Sequence, residues 1–206
     1  MLRFPTPTSI VVPARSALKR IRSDHTLRPS SSSRQAPRLL IVYHSRTGLA
    51  KQMSEAMENG ARLASEEMES DLNLTRLRAA DASIDDVLQS DGYLFCAPEN
   101  LASASGEMLE FFHRTYYHAF DDNETSLITA RPYGLAIAAG SDGTNAARQI
   151  ERICKGWGLR PVEDTFINRN GLPQDKTSIL QPKLCQPDAR KRCEQLGGLV
   201  AATLLL

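Results

Sequence analysis

From Arg38 onward the chain alternates between short, continuous apolar runs and longer stretches in which apolar residues recur every three or four positions. Residues 39–43 (LLIVY), 92–97 (GYLFCA) and 133–139 (YGLAIAA) are unbroken runs, as strands buried on both faces must be. Residues 72–77 are shorter and alternating, which predicts an edge strand, and 162–167 reads as a fifth strand. Between them the period changes. A helix over 49–68 puts Leu49, Met53, Ala56, Gly60, Leu63, Ala64 and Met68 on one face. Residues 84–89 make a brief helix, and 107–120 a longer one with Met108, Phe111, Phe112 and Tyr116 along a stripe. A helix over 145–157 turns Ala146, Ile150, Ile153, Cys154 and Trp157 inward, and a last one spans 187–206. Strands alternating with helices require right-handed crossovers and a parallel sheet covered on both faces. Five strands in this sequence suit a three-layer α/β sandwich with the doubly wound order 2-1-3-4-5.

Composition narrows the class. With 41% hydrophobic and 24% charged residues in 206, the chain has the make-up of a globular domain, and no apolar run approaches the length of a membrane span. Charge is unevenly spread. Of 25 bases and 24 acids, seven bases and one acid fall in residues 1–37, so 38–206 hold 18 against 23, a net of −5. An acidic domain argues against nucleic acid as a partner. Residues 1–37 also hold five prolines and the run 30–33 of serines, a composition that cannot bury enough apolar surface to order itself. They are expected to form a disordered basic leader ahead of a domain over 38–206. A non-functional leader, an organelle transit peptide and a basic tail for anionic surfaces all fit; a secretory signal does not, because residues 9–12 are too short for its apolar core. Cys96, Cys154, Cys185 and Cys193 show no C-x-x-C spacing and no His pairing that would make a zinc site, and Cys96 sits inside an apolar run as a free buried thiol. A reducing compartment fits, so the cytoplasm is the expected location, with organelle import through 1–37 as the alternative.

In a doubly wound sheet, ligands bind beyond the carboxyl ends of the strands where strand order reverses, here after the first and third strands. The first of these loops, 44–50, reads HSRTGLA. Ser45 and Thr47 supply hydroxyls, Arg46 a charge and Gly48 a tight turn, and the following helix start directs unpaired N–H groups at an anion. The same Ser45 or Thr47 would equally serve as a helix cap. Neither a Walker P-loop nor a dinucleotide fingerprint is present. The loop over 97–106 is small and polar, suited to presenting backbone groups to a flat heteroaromatic ring. In the loop over 139–144, Ser141 or Asp142 caps the next helix, or Gly140 and Ser141 meet a ligand. His44 is either a strand-end residue bonded through its backbone or a ligand contact. Cys154 and Arg160 have a phosphatase-like C-x5-R spacing, but Cys154 lies in the last turns of a helix instead of a loop before one, and Pro161 stands where that motif needs Ser or Thr.

Three runs, LLIVYHSRTGLAKQM, DGYLFCAPENLASASGEMLEFFHRTYY and RPYGLAIAAGSDGTNAARQIERICKGWGL, each at a strand end and in the right order, resemble the flavodoxin-like superfamily. They are similar in particular to its NAD(P)H-dependent FMN reductase and quinone oxidoreductase branches, over roughly residues 38–168. The resemblance implies a flavodoxin-like domain holding FMN. Ser45, Arg46, Thr47 and Gly48, with Leu49 and Ala50 behind them, would hold the phosphate. Pro98, Glu99, Asn100 and Leu101 would line the isoalloxazine, and Gly140 and Ser141 would approach its far side. It further implies NAD(P)H and a quinone or similar small acceptor as partners, and no catalytic side chain, because the flavin carries the electrons. Relatives often pair, so the apolar 199–206 end is either an interface or a packed last helix.

The sequence departs from the family's S/T-x-T-G-x-T at Ala50, where a hydroxyl bond to the phosphate worth about 1.5–3 kcal/mol is missing. Leu101 and Ala104 replace an aromatic that often stacks on the flavin, worth about 1 kcal/mol more. A flavodoxin-type electron carrier and a flavin-free interaction module are therefore the alternative functions.

Overall fold

The computed structural model describes residues 35–206, so the expected leader lies outside the described residues except for its last three. Of those, Ala36 and Pro37 accept hydrogen bonds from Asn73 Nδ2 and N, at 3.1 and 2.9 Å.

The central strand, β1 (Arg38–Tyr43), pairs in parallel with β2 (Asn73–Arg78) on one side and β3 (Gly92–Asn100) on the other. Next to β3 comes β5 (Pro132–Ala139), and beyond it β6 (Arg160–Pro161) and β7 (Phe166–Arg169) form the far edge. The predicted fifth strand is thus two pieces in one edge position, which preserves the 2-1-3-4-5 order. Pro132 and Tyr133 pair with Arg160 and Pro161, and pairing resumes at Ala136 with Phe166, so the edge carries two extra residues across this step. Pro161 has no N–H to donate, which only an edge tolerates.

Alternation along β1 explains the two layers. Leu39 and Ile41 join one buried cluster, Leu40 and Val42 the other. The first face is covered by α1 (Leu49–Glu67) and α5 (Pro187–Leu205), through small residues that let backbones approach. A Cβ added at Gly60 would fall 1.9 Å from Glu194 O, and one at Gly197 2.0 Å from Met57 O. The second face is covered by α2 (Ile84–Leu88), α3 (Gly106–Thr115) and α4 (Thr144–Gly156), and is filled by aromatics. Phe95 lies 5.3 Å from Phe112, and Phe112 5.4 Å from Trp157, centroid to centroid. Large rings fill the space beneath these helices, whereas on the other face glycines draw α1 and α5 against each other.

Helix ends follow the periodicity closely, with three differences. Leu63, expected inside, is 45% exposed, because the inner face of α1 runs through Met57 and Ala61 instead. The helix expected over 107–120 stops at Thr115 and continues as one tighter turn, Tyr117–Ala119. The loop expected after the third strand is a β-hairpin: β3 runs on to Asn100 and pairs antiparallel with β4 (Ser103–Ala104). In α5, Val200 and Ala201 are buried while Leu206 is fully exposed. No described helix is long and apolar enough to cross a membrane.

Candidate functional site

Loops after β1, β3 and β5 meet above the carboxyl edge of the sheet and enclose a cavity of about 420 Å³. Its walls include Ser45, Arg46, Thr47, Leu49 and Ala50 from the first loop. Pro98, Glu99, Asn100 and Leu101 come from the β3–β4 hairpin, and Gly140 and Ser141 from the loop after β5. Of the residues that the resemblance assigns to the cofactor, only Gly48 is not part of the wall. It acts through its backbone: in the left-handed region at φ 89°, it is the residue at which the chain turns into α1. A side chain there would be strained.

Neither Ser45 nor Thr47 caps α1. The Ser45 Oγ accepts from Gly48 N at 3.1 Å and so shapes the turn before the helix. The first turn of α1 carries no acid and no side-chain cap, so the amides of Leu49, Ala50 and Lys51 have no intrahelical acceptor, and Leu49 and Ala50 line the cavity. The helix dipole gives this end a partial positive charge. Arg46 adds a full one, and no carboxylate lies within ion-pair distance of it among the described residues.

A fourth wall was not visible in the sequence. Asn170, Pro173, Gln174, Ile179, Leu180 and Lys183, from the connection between β7 and α5, complete the cavity. This connection is tied down at both ends. Asn170 N donates to Ala139 O at 3.0 Å, and Gln174 Nε2 donates to Gly140 O. At the other end Lys183 N donates to Thr47 O at 2.8 Å. Gln52 then bridges: its Nε2 donates to Gly48 O at 3.1 Å and Lys183 O at 2.8 Å, and its Oε1 accepts from Cys185 N at 3.1 Å. One signal was available, since so long a connection without regular structure is commonly functional.

At the opposite end Glu99 crosses from β3 to the loop after β5. Its carboxylate accepts from Ser141 N and Oγ, both at 2.9 Å, and from Gly143 N at 3.1 Å. Partial burial alone would raise its pKa; these hydrogen bonds outweigh that and lower it. Neither Ser141 nor Asp142, the expected caps, is the N-cap of α4, which is Gly143; Asp142 accepts from Thr144 N at 3.0 Å, so α4 begins under two carboxylates. The amides at 141 and 143 are therefore already paired within the chain. Between the two ends, Leu101 and Ala102 turn the hairpin with φ of 51° and 58°, and Leu101 projects fully into solvent.

His44 is not among the wall residues. Its backbone N donates to Cys96 O at 3.1 Å, and its Nε2 lies 3.3 Å from Glu107 Oε1. Its Nδ1 is buried without a partner. Burial lowers the imidazole pKa; Glu107 works against this, and Arg78 and Arg46 add to it. The Cys96 thiol lies beneath the first loop, donating to Ala50 O at 3.2 Å, and burial pushes it well above the ordinary range. Such a thiol is inert.

No protein-family model matches the chain, and no curated protein sequence does. Solved structures do. A flavodoxin from Archaea superposes with a TM-score of 0.61 at 14% identity, over 81% of this chain and 98% of the other. The fold is flavodoxin-like. A flavodiiron core from Synechocystis superposes at 0.60 with 18% identity, over 83% of this chain and 36% of that longer one. A WrbA-like flavodoxin from Agrobacterium tumefaciens gives 0.55 at 14%, over 82% and 98%. At such identities the likeness is one of architecture, and in that flavodoxin-like architecture the cavity lies at the switch point beyond β1 and β3.

Proposed function

We propose that the cavity holds FMN and that the protein is a flavin-dependent oxidoreductase, passing electrons from NAD(P)H to a quinone or similar small acceptor. The observation that carries this reading is the uncapped start of α1, whose free amides open onto a cavity of ligand size. The residues around the cavity fit the group. Amides of Leu49, Ala50 and Lys51 suit the phosphate oxygens, joined by the hydroxyls of Ser45 and Thr47. Ala50 contributes its amide alone. Pro98 to Leu101, together with Gly140 and Ser141, line the part of the cavity that would take the flat ring. When bound, FMN would supply the electron-accepting and electron-donating chemistry. The chain's part is to grip the phosphate, orient the ring and, through Ile179 and Leu180, exclude water from one side.

Visible absorption and equilibrium dialysis of the purified chain with excess FMN test the first half of this reading; well-folded material that retains no flavin would overturn it. Steady-state NADPH and NADH oxidation with a quinone tests the second. Flavin retained without turnover would favour a one-electron carrier, a reading supported by the likeness to flavodoxins and by the net charge of −5 over 38–206.

A further inference from the structure

We infer that Lys183 is a specificity-determining cation, which makes the cavity select a phosphorylated flavin over the same ring system without its phosphate. The inference rests on the FMN reading above and adds to it a residue from outside the three loops that carried the resemblance.

The backbone of Lys183 is fixed against the first loop from two directions. Its N–H is bonded to Thr47 O, and its carbonyl accepts from Gln52 Nε2, each at 2.8 Å. A Cβ built on Gly48 would lie 3.7 Å from that same carbonyl. The side chain therefore starts beside the turn into α1 and forms part of the cavity wall with Ser45, Arg46 and Thr47. Its ammonium donates to Ile179 O at 2.7 Å and to Ser178 O at 3.5 Å, neutral acceptors that leave one of its three N–H bonds without a partner. Among the described residues no carboxylate lies within ion-pair distance of either Lys183 or Arg46. Two uncompensated cations thus stand at one end of the cavity. The carboxylate of Glu99 stands at the other, engaged by Ser141 and Gly143.

A dianionic head group belongs at the first end. A flexible four-carbon stem lets the ammonium exchange a carbonyl for a phosphate oxygen, and a charge-assisted bond is roughly twice as strong as the neutral one it replaces. Ala50 lacks the hydroxyl that an S/T-x-T-G-x-T loop would offer, and Lys183, which lines the same cavity, offers a charged donor in its place.

The test compares FMN with riboflavin on the full chain, reading dissociation constants from quenching of flavin fluorescence. Lys183→Gln keeps a donor for Ile179 O and removes the charge; Lys183→Arg keeps the charge. The expected result is that Lys183→Gln weakens FMN about tenfold while riboflavin changes less than about twofold, and that Lys183→Arg stays near the wild type. Raising salt should weaken FMN more than riboflavin in the wild type and less so in Lys183→Gln. A purely structural role would move both flavins together, and that outcome, or an unchanged ratio in Lys183→Gln, overturns the inference while leaving FMN binding intact. A wild type that retains neither flavin overturns both this inference and the FMN reading.

Discussion

Glu99 and Ser141 are joined twice, the carboxylate of one accepting from both the amide and the hydroxyl of the other at 2.9 Å. This contact ties the end of β3 to the loop after β5 at one end of the cavity. Glu99→Gln puts an amide N–H group against these donors, so it should cost about 1 kcal/mol, the low end of the usual range because the group is partly solvated. The folded pKa lies below the unfolded one. The contribution is therefore full above the ordinary carboxylate range and lost as pH falls through the folded pKa. Urea midpoints of the two proteins should differ at pH 7 and converge in strong acid; equal midpoints at pH 7 would sink the idea.

Leu101 and Ala102 occupy left-handed backbone that favours glycine and asparagine, and Leu101 buries nothing there. Replacing the pair by Asn-Gly should stabilise the flavin-free protein by about 1–2 kcal/mol, which thermal melting would register as a higher Tm. A lower Tm would mean that the turn has another geometry.

Gly60 and Gly197 each face main chain that has nowhere to move. Gly60→Ala and Gly197→Ala should each cost at least about 1–3 kcal/mol through overpacking, despite the better helix propensity of alanine. Gly106→Ala meets nothing within 4 Å and serves as the control, with a midpoint equal to or above that of the wild type. Denaturant titration would decide, and tolerance at Gly60 would contradict the α1–α5 packing.

Burial lowers the His44 pKa, and protonation would give both ring nitrogens a proton while the buried Nδ1 has no partner. With the folded pKa below the unfolded value, the unfolded chain takes up the proton first. Stability should therefore fall as pH drops through the ordinary histidine range. A His44→Asn variant should lose less between pH 7.5 and 5.5 than the wild type, measured by chemical denaturation at each pH. Parallel losses would place the dependence elsewhere.

Much of the fold was legible because local spacing and burial report the same thing. A strand covered on both faces must be apolar throughout, and 39–43, 92–97 and 133–139 are. A helix covered on one face must repeat near 3.6 residues, which located α1, α4 and α5 within a residue or two. Where the signal depended on a partner distant in sequence, it was lost. The β3–β4 hairpin has no Asn-Gly or Asp-Gly to announce it, and its existence rests on Glu99 pairing with Ala104. The edge strand split because pairing to β5 skips two residues around Pro161.

The sequence by itself determined the order of elements, the two-faced parallel sheet and the loops that would meet at its carboxyl edge, because each is written in spacing that a neighbour or two can satisfy. Tertiary structure alone decided what each polar side chain in those loops does. Ser45 shapes a turn instead of capping α1, Glu99 turns to Ser141 and Gly143, and Gln52 and Lys183 bind the 170–186 wall to the first loop. A hydrogen bond can be made by any suitable donor within about 3 Å, so which one makes it is settled only when the chain has brought them together.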